Sequence, residues 1–264
     1  MSEFVYDENG LQALISLIKK LCGNDLTNKK DIIKTKISNF ATNKNISDMD
    51  ALLKKVSFES KLRQELLNLI TINETYFYRE LNQLNSVIYY ANTIALSDNV
   101  KILCAPCSSG EEVYSLGMIA KTIGIDRQRL KIVGIDINSE VIQRCKDGIY
   151  NQRSIQNVSP NQKNMYFNKV DDMYQIKKEL MPQMEFKVAN IFDESLFKLG
   201  MFDIILSRNM MIYFDEEYRL MTIERFHKIL KPFGRLYVGH ADLVPYTDLY
   251  TKIVDIGSSY YEKL

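Results

Sequence analysis

The sequence predicts a two-part chain: an all-α N-terminal domain followed by an α/β domain built on a doubly wound sheet. Three observations carry this. Up to about residue 70, apolar residues recur only at helical spacing, with no strand pattern. After residue 96 come five short apolar runs, "VKILCA", "LKIVGIDI", "MEFKVAN", "FDIILS" and "RLYVGH". Helical stretches separate most of them, and strands alternating with helices make a parallel sheet covered on both faces.

The elements follow in order. Leu11, Leu14, Ile15, Ile18 and Leu21 stripe a first helix, which "CGND" ends because glycine supplies a C-terminal cap. "KKDIIKTKISNF" is a second helix, with Ile32, Ile33, Ile37 and Phe40 as its apolar stripe and Lys29, Lys30, Lys34 and Lys36 outward or flanking. Ser47 or Asp48 caps a third, and Leu62, Leu66, Leu69 and Ile70 stripe a fourth. Residues 1–70 form the helical domain, 71–80 a linker and 81–264 the α/β domain. A long helix reaches about Leu96. Residues 111–123 and 215–230 are further helices, the second started by Asp215 and stopped by "KPFG". The polar stretch at about 151–183 reads as an insertion.

Totals narrow the function. A net charge of +1 over 264 residues gives no global field for nucleic acid or membrane. No apolar run approaches the ~18–20 residues that span a bilayer, and "MSEFVYDENG" lacks the basic-then-apolar order of a signal peptide. Cys22, Cys104, Cys107 and Cys145 are too scattered for a disulfide framework. The expectation is a cytoplasmic protein with reduced thiols.

The stretch "ILCAPCSSGEEVYSLGMIA" (102–120) decides between chemistries. As a redox pair it is poor: Cys104 lies inside a strand, and two nearby glutamates raise a thiol pKa. As a metal site it supplies two ligands where a structural zinc needs four, and His227 and His240 are far along the chain, each better read as an edge-of-core imidazole. As a cofactor loop it fits. Strand, Gly/Ser turn and helix precede a second strand ending in Asp136, whose carboxylate can accept both ribose hydroxyls. Glu111 and Glu112 would oppose the pyrophosphate of a dinucleotide, and GxGxxG is absent. S-adenosylmethionine carries a sulfonium and an ammonium and no phosphate, so an acidic loop favours it. Gly110 allows close backbone approach. Alternatively, the two glutamates simply match the positive end of the helix.

"NETYFYRE" (73–80), "SSGEEVYSLGM" (108–118) and "RNMMIYFD" (208–215), with "GIDIN" and "LKPFGRLYVGHAD", resemble the chemotaxis receptor glutamate methyltransferases of the CheR type. The likeness covers most of the chain, including a basic second helix in the spacing from Leu26 to Ile37. It implies a Rossmann-like S-adenosylmethionine-dependent methyltransferase fold with a small inserted β-subdomain. It further implies that Asn73, Thr75 and Arg79 contact the cofactor and close over it, that Glu112 holds its ammonium and Asp136 its ribose, that Asn190 and Ile191 border adenine, and that Arg208 and Asn209 line the pocket. Arg79 and Tyr213 fall nearest the methyl transfer. The implied reaction gives glutamyl methyl esters on chemoreceptors, for adaptation in chemotaxis, and S-adenosylhomocysteine. The implied partner is the receptor methylation region, an acidic helical surface that Lys29, Lys30, Lys34 and Lys36 would dock.

Two departures stand out. Val113 replaces the family's usual proline in the first helical turn, where proline suits but is not required. The stretch "YFNKVDDMYQIKKELMPQMEF" lacks the glycine-rich turn of members that dock a receptor's C-terminal peptide, so no tethering peptide is expected. The chief rival is a non-catalytic signalling adaptor that keeps the fold and the cofactor; the intact motif set argues against it. A second rival is a methyltransferase for small molecules or RNA; the near-neutral charge and the lack of a basic-aromatic stripe argue against RNA.

Overall fold

In the computed structural model, which describes residues 4–255 and 258–264, the helical region comprises α1 (Glu8–Cys22), α2 (Lys30–Asn43), α3 (Met49–Phe58) and α4 (Ser60–Ile70). Asp7 accepts from Gly10 N at 2.6 Å to start α1, and Asp48, rather than Ser47, accepts from Ala51 N at 2.8 Å to start α3. Each cap satisfies an amide that the first turn leaves without a partner. The apolar stripes of the four helices meet in a core of their own.

Helix α1 ends at Gly23, with φ 74°, whose amide returns to the Lys19 carbonyl at 2.7 Å. This left-handed cap favours glycine. Gly23 also lies against the α/β domain: a Cβ there would stand 2.8 Å from Phe192 and 2.9 Å from Tyr218. Gly124, with φ 86°, caps the helix of residues 111–123 and has nothing within 4 Å of its Cβ position. Gly23→Ala is therefore expected to cost about 2–4 kcal/mol, backbone strain plus overpacking. Gly124→Ala should cost only the backbone part of about 1–2 kcal/mol. Thermal midpoints of the two variants check this; equal shifts would mean that the contact across the domains contributes nothing.

The α/β domain carries α5 (Leu81–Ala95), α6 (Glu111–Ile123), α7 (Ser139–Asp147), α8 (Pro160–Tyr166) and α9 (Glu216–Ile229). Its strands are β1 (Val100–Cys104), β2 (Leu130–Asp136), β3 (Ile149–Tyr150), β4 (Phe167–Val170), β5 (Met173–Ile176), β6 (Gln183–Val188), β7 (Phe202–Ser207), β8 (Leu230–Val238), β9 (Tyr250–Asp255) and β10 (Ser258–Lys263). The main sheet runs β6-β2-β1-β7-β8-β10-β9. Its first five strands are parallel, and β10 is antiparallel to β8. Successive residues point to opposite faces. Ile102, Cys104 and Leu206 join the core under α5 and α6, whereas Leu103, Val133 and Ile205 join the core with Phe226 of α9. This is the doubly wound sheet the sequence implies.

Two places differ from the sequence reading. "KPFG" does not lie between helix and strand: α9 ends at Ile229 and β8 begins at Leu230, with the register to β7 jumping between Phe202↔Leu230 and Ile204↔Arg235. The extra β8 residues bulge out there, with Phe233 at φ 60°. The hairpin of β9 and β10 went unread in the sequence because its outer strand is mostly exposed and polar. The insertion holds a small antiparallel sheet, β3-β5-β4, whose tight turn is Asp171–Asp172. It grips the linker: Phe77 is fully buried and meets Tyr150 and Phe167 edge-on at 4.8 and 5.2 Å, and its amide donates to the Ser154 carbonyl at 2.9 Å. Among the described residues, no helix is long and apolar enough to cross a membrane.

Candidate active site

Strand order reverses between β1 and β7, and in an open α/β sheet such a reversal opens a crevice beyond the carboxyl ends of the strands. A groove of two joined halves lies there. One half is lined by Asp136, Asn190, Ile191, Tyr213 and Phe214, together with Cys22 and Asn24 of the helical domain. The other is lined by Thr75, Arg79, Glu112 and Arg208. Asn73 and Asn209 border both halves. Asn73, Thr75, Arg79, Glu112, Asp136, Asn190, Ile191, Arg208, Asn209 and Tyr213 thus all line this groove.

Asp136 ends β2 and is 3% exposed. Its Oδ2 accepts from Ser108 N and its Oδ1 from Asn138 N, both at 2.9 Å. Burial pushes its carboxyl up to about 6 against these two amides. A carboxylate has about four acceptor positions, so each oxygen keeps one for a ligand, the requirement for a vicinal diol. Asn138 is the pivot behind it: its side-chain amide donates to Asn73 Oδ1 at 2.9 Å and to Thr71 Oγ1 at 2.8 Å, tying the linker to the sheet.

The two glutamates that open α6 separate in role. Glu111 turns inward, 2% exposed, and accepts from Ser109 and Ser154 hydroxyls at 2.7 and 3.1 Å. Glu112 faces the groove. Its Oε2 takes Arg208 Nη1 at 2.6 Å, while its Oε1 is buried with no hydrogen-bond partner. Burial pushes the Glu112 carboxyl up, and the Arg208 charge pulls it back. Arg208, 6% exposed, also donates to the Arg79 carbonyl at 2.8 Å and stands 3.3 Å from Glu80; its Nε has no partner. Two carboxylates therefore surround one guanidinium, an excess of negative charge in a confined space. An orphan acceptor on Glu112 and an orphan donor on Arg208 suit the ammonium and carboxylate of an amino-acid end. With the Asp136 acceptors, the residues present fit S-adenosylmethionine.

Other candidates make contacts within the protein. Asn190 has both polar atoms engaged: Nδ2 donates to the Leu21 carbonyl at 2.6 Å and Oδ1 accepts from Phe192 N at 3.0 Å. It clamps the end of α1 to the α/β domain. Gly110 does not line the groove; Cys145 Sγ and Tyr150 Oη crowd its Cβ position at 3.0 and 3.2 Å. Cys104 and Cys107 are buried, and burial raises both thiols well above their usual range, which suits packing rather than thiol exchange. His227 is half-buried as expected, but His240 is exposed, with Nδ1 3.0 Å from Glu80 Oε2, because the chain leaves the sheet just before it.

Tyr213 is half-buried between the domains. Its carbonyl accepts from Asp25 N at 2.9 Å, and Lys29 Nζ lies 4.7 Å from its ring centre. Burial raises its phenol, and the nearby Arg79 charge opposes that. Arg79 donates to the Glu74 carbonyl at 3.0 Å. Of the other basic residues, Lys34 lies over the Tyr6 ring at 4.2 Å and Lys36 donates to the Leu69 carbonyl at 3.4 Å.

Asp242 was missed in the sequence. Its carboxylate accepts from the amides of Asn209 at 2.5 Å, Gly239 at 3.0 Å and Ile212 at 3.2 Å. It holds the turn that carries Asn209, at φ 56°, and leads to Tyr213. The signal was present in "GHAD", but an acid that folds a distant turn through backbone contacts leaves no local pattern. Glu80 was likewise hidden in "NETYFYRE".

Comparison with known proteins gives a consistent answer. The model of the CheR methyltransferase all-alpha domain matches residues 9–71, and that of the CheR methyltransferase SAM binding domain matches residues 73–258. Proteins named chemotaxis protein methyltransferase from two strains of Campylobacter jejuni subsp. jejuni, of serotypes O:23/36 and O:2, are 46% and 45% identical over 255 residues, 96% of this chain and 96% of theirs. One of the same name from Borreliella burgdorferi is 33% identical over 249 residues, 89% of this chain and 88% of its own.

Proposed function

This chain belongs to the CheR methyltransferase family, and from that membership and the groove we propose that it methylates glutamate side chains on the cytoplasmic methylation region of chemoreceptors. It is an S-adenosylmethionine-dependent methyltransferase of chemotaxis. The single observation that carries the site assignment is the continuous groove joining Asp136 at one end to the Glu112–Arg208 pair at the other.

S-adenosylmethionine supplies, when bound, an electrophilic methyl group on a sulfonium, which passes to the acceptor and leaves S-adenosylhomocysteine. Asp136 accepts the ribose hydroxyls. Glu112, with one oxygen free of partners, accepts the ammonium, and the Arg208 charge opposes the upward push of burial on its carboxyl. Asn73 and Thr75 cover the bound cofactor, Ile191 packs on the adenine, and Asn209 spans the two halves. Arg79 attracts and orients the incoming carboxylate, and Tyr213 steers it by a hydrogen bond from its phenol. A glutamate is already ionised at neutral pH, with a reference pKa of about 4.3, so neither group changes protonation state. Alignment is the main contribution, worth about 7–11 kcal/mol at best. Transfer cancels charge between carboxylate and sulfonium, so a site poor in water assists it.

Lys29, whose Nζ lies 4.7 Å from the ring centre of the groove residue Tyr213, supports docking of an acidic receptor surface on the basic helix. Lys30 and Lys34 extend that face, and Lys36 is partly spent on Leu69. Replacing Lys29, Lys30 and Lys34 by glutamate is expected to raise the KM for receptor at least tenfold and to flatten its dependence on salt, with the affinity for S-adenosylhomocysteine unchanged. Turnover on receptor that is insensitive to salt in the unaltered protein would sink the docking idea.

The β4–β5 turn bears on tethering. Two aspartates stand in it and no glycine, so we expect no recruitment through a receptor's C-terminal peptide. A pull-down with such peptides should recover none of the protein; tight capture would contradict this.

A further inference from the structure

The half of the groove that holds Asp136 and Ile191 is completed by the other domain. Cys22 and Asn24, at the end of α1, line it too. Asn24 is 8% exposed, and its Oδ1 is buried without a hydrogen-bond partner. The backbone on either side of it is fixed to the α/β domain. The Leu21 carbonyl accepts from Asn190 Nδ2 at 2.6 Å, the Asp25 amide donates to the Tyr213 carbonyl at 2.9 Å, and Lys19 pairs with Asp215 at 2.5 Å. A buried amide oxygen left without a donor is costly and uncommon, and each instance calls for a partner.

Asn190, the residue expected to border adenine, already uses each of its polar atoms once, in holding α1 to the α/β domain. Asn24 brings to this half of the groove a buried amide oxygen that has no partner within the protein. Among the ring and exocyclic atoms of adenine, the 6-amino group is the donor. We propose that Asn24 of the helical domain forms part of the adenine subsite, its Oδ1 accepting from the 6-amino group. The helical domain is then one wall of the cofactor site as well as a surface for the receptor, and Asn190 acts as the clamp that sets Asn24 in place. This inference rests on the cofactor reading above.

The test is a double-mutant cycle by calorimetry on the full chain. Its ligands are S-adenosylhomocysteine and the analogue with hydrogen in place of the 6-amino group; its proteins are the unaltered chain, Asn24→Ala and Asn24→Ser. A neutral hydrogen bond in a buried site corresponds to about a tenfold change in affinity. The unaltered chain should bind the analogue about tenfold more weakly than S-adenosylhomocysteine. Asn24→Ala should bind both ligands equally, at the weaker level. Asn24→Ser keeps a short polar side chain, and the ratio of the two affinities is read within each variant, so a general loss of stability does not mimic the effect. Unchanged affinity in Asn24→Ala, or the same discrimination in both variants as in the unaltered chain, overturns the inference alone. Failure of the unaltered chain to bind S-adenosylhomocysteine overturns the cofactor reading, and this inference with it.

Discussion

Asp136→Ala is expected to weaken S-adenosylhomocysteine binding by roughly 10²–10⁴-fold, because it removes two hydrogen bonds to a charged acceptor worth about 1.5–3 kcal/mol each. The side chain already accepts from Ser108 N and Asn138 N, so the loss is checked against thermal stability in the same samples. Asp136→Asn keeps the shape, loses the charge and should fall between. The pH dependence has a definite sign. The buried carboxyl in the free protein titrates near 6, and the bound state requires it ionised. Affinity should therefore be level above about pH 7 and fall as pH drops through about 6, by up to tenfold per unit for one proton taken up. In Asp136→Asn that fall should disappear. Calorimetry across pH reads all three results; binding unaffected by Asp136→Ala would remove the ribose anchor from the account.

Arg208→Leu is expected to be the most destabilising single change in the groove. It would leave Glu112 and Glu80 facing each other without the guanidinium that now stands 2.6 and 3.3 Å from them. Removing one partner from a buried ionic cluster costs about 3–5 kcal/mol, which for a chain of this size lowers the thermal midpoint by roughly 6–20 °C. The double variant Arg208→Leu with Glu112→Gln relieves part of the excess charge and should recover some of that loss. If the double variant is less stable than Arg208→Leu by the full cost of Glu112→Gln alone, the cluster is not coupled as described. Neither variant should bind cofactor well, since Glu112 then lacks either its charge or its positioning partner.

Much of this was legible in the sequence for physical reasons. Helical stripes and apolar runs are set by burial, and burial dictates the residue at every turn or every second position, so the four N-terminal helices and the five parallel strands could be read directly. Asp136 and Glu112 could be read because a strand end and a helix start fix their place within a few residues of chain. What escaped acts across long separations. Asp242 folds a turn some thirty residues away through backbone amides, and Glu80 reaches Arg208 across most of the domain. Asn24 enters the groove only because α1 stops at Gly23 against Phe192 and Tyr218. No local pattern marks such a residue, because the cause is the docking of two domains. The hairpin of β9 and β10 escaped for another reason. The outer strand β9 is exposed on both of its faces, so its composition is mostly polar and its alternation weak.

The measurement that bears most directly on the account is transfer of a labelled methyl group from S-adenosylmethionine to a chemoreceptor cytoplasmic fragment, followed by mild alkali. A methyl ester of glutamate is hydrolysed under those conditions and releases its label as volatile methanol. The account predicts label on the fragment that alkali releases, and no label when the accepting glutamates are changed to alanine or when Arg79→Ala replaces the unaltered enzyme. Label that survives alkali would place the methyl on nitrogen or sulfur, and no transfer from a protein that binds the cofactor would favour an adaptor; either result would contradict the account.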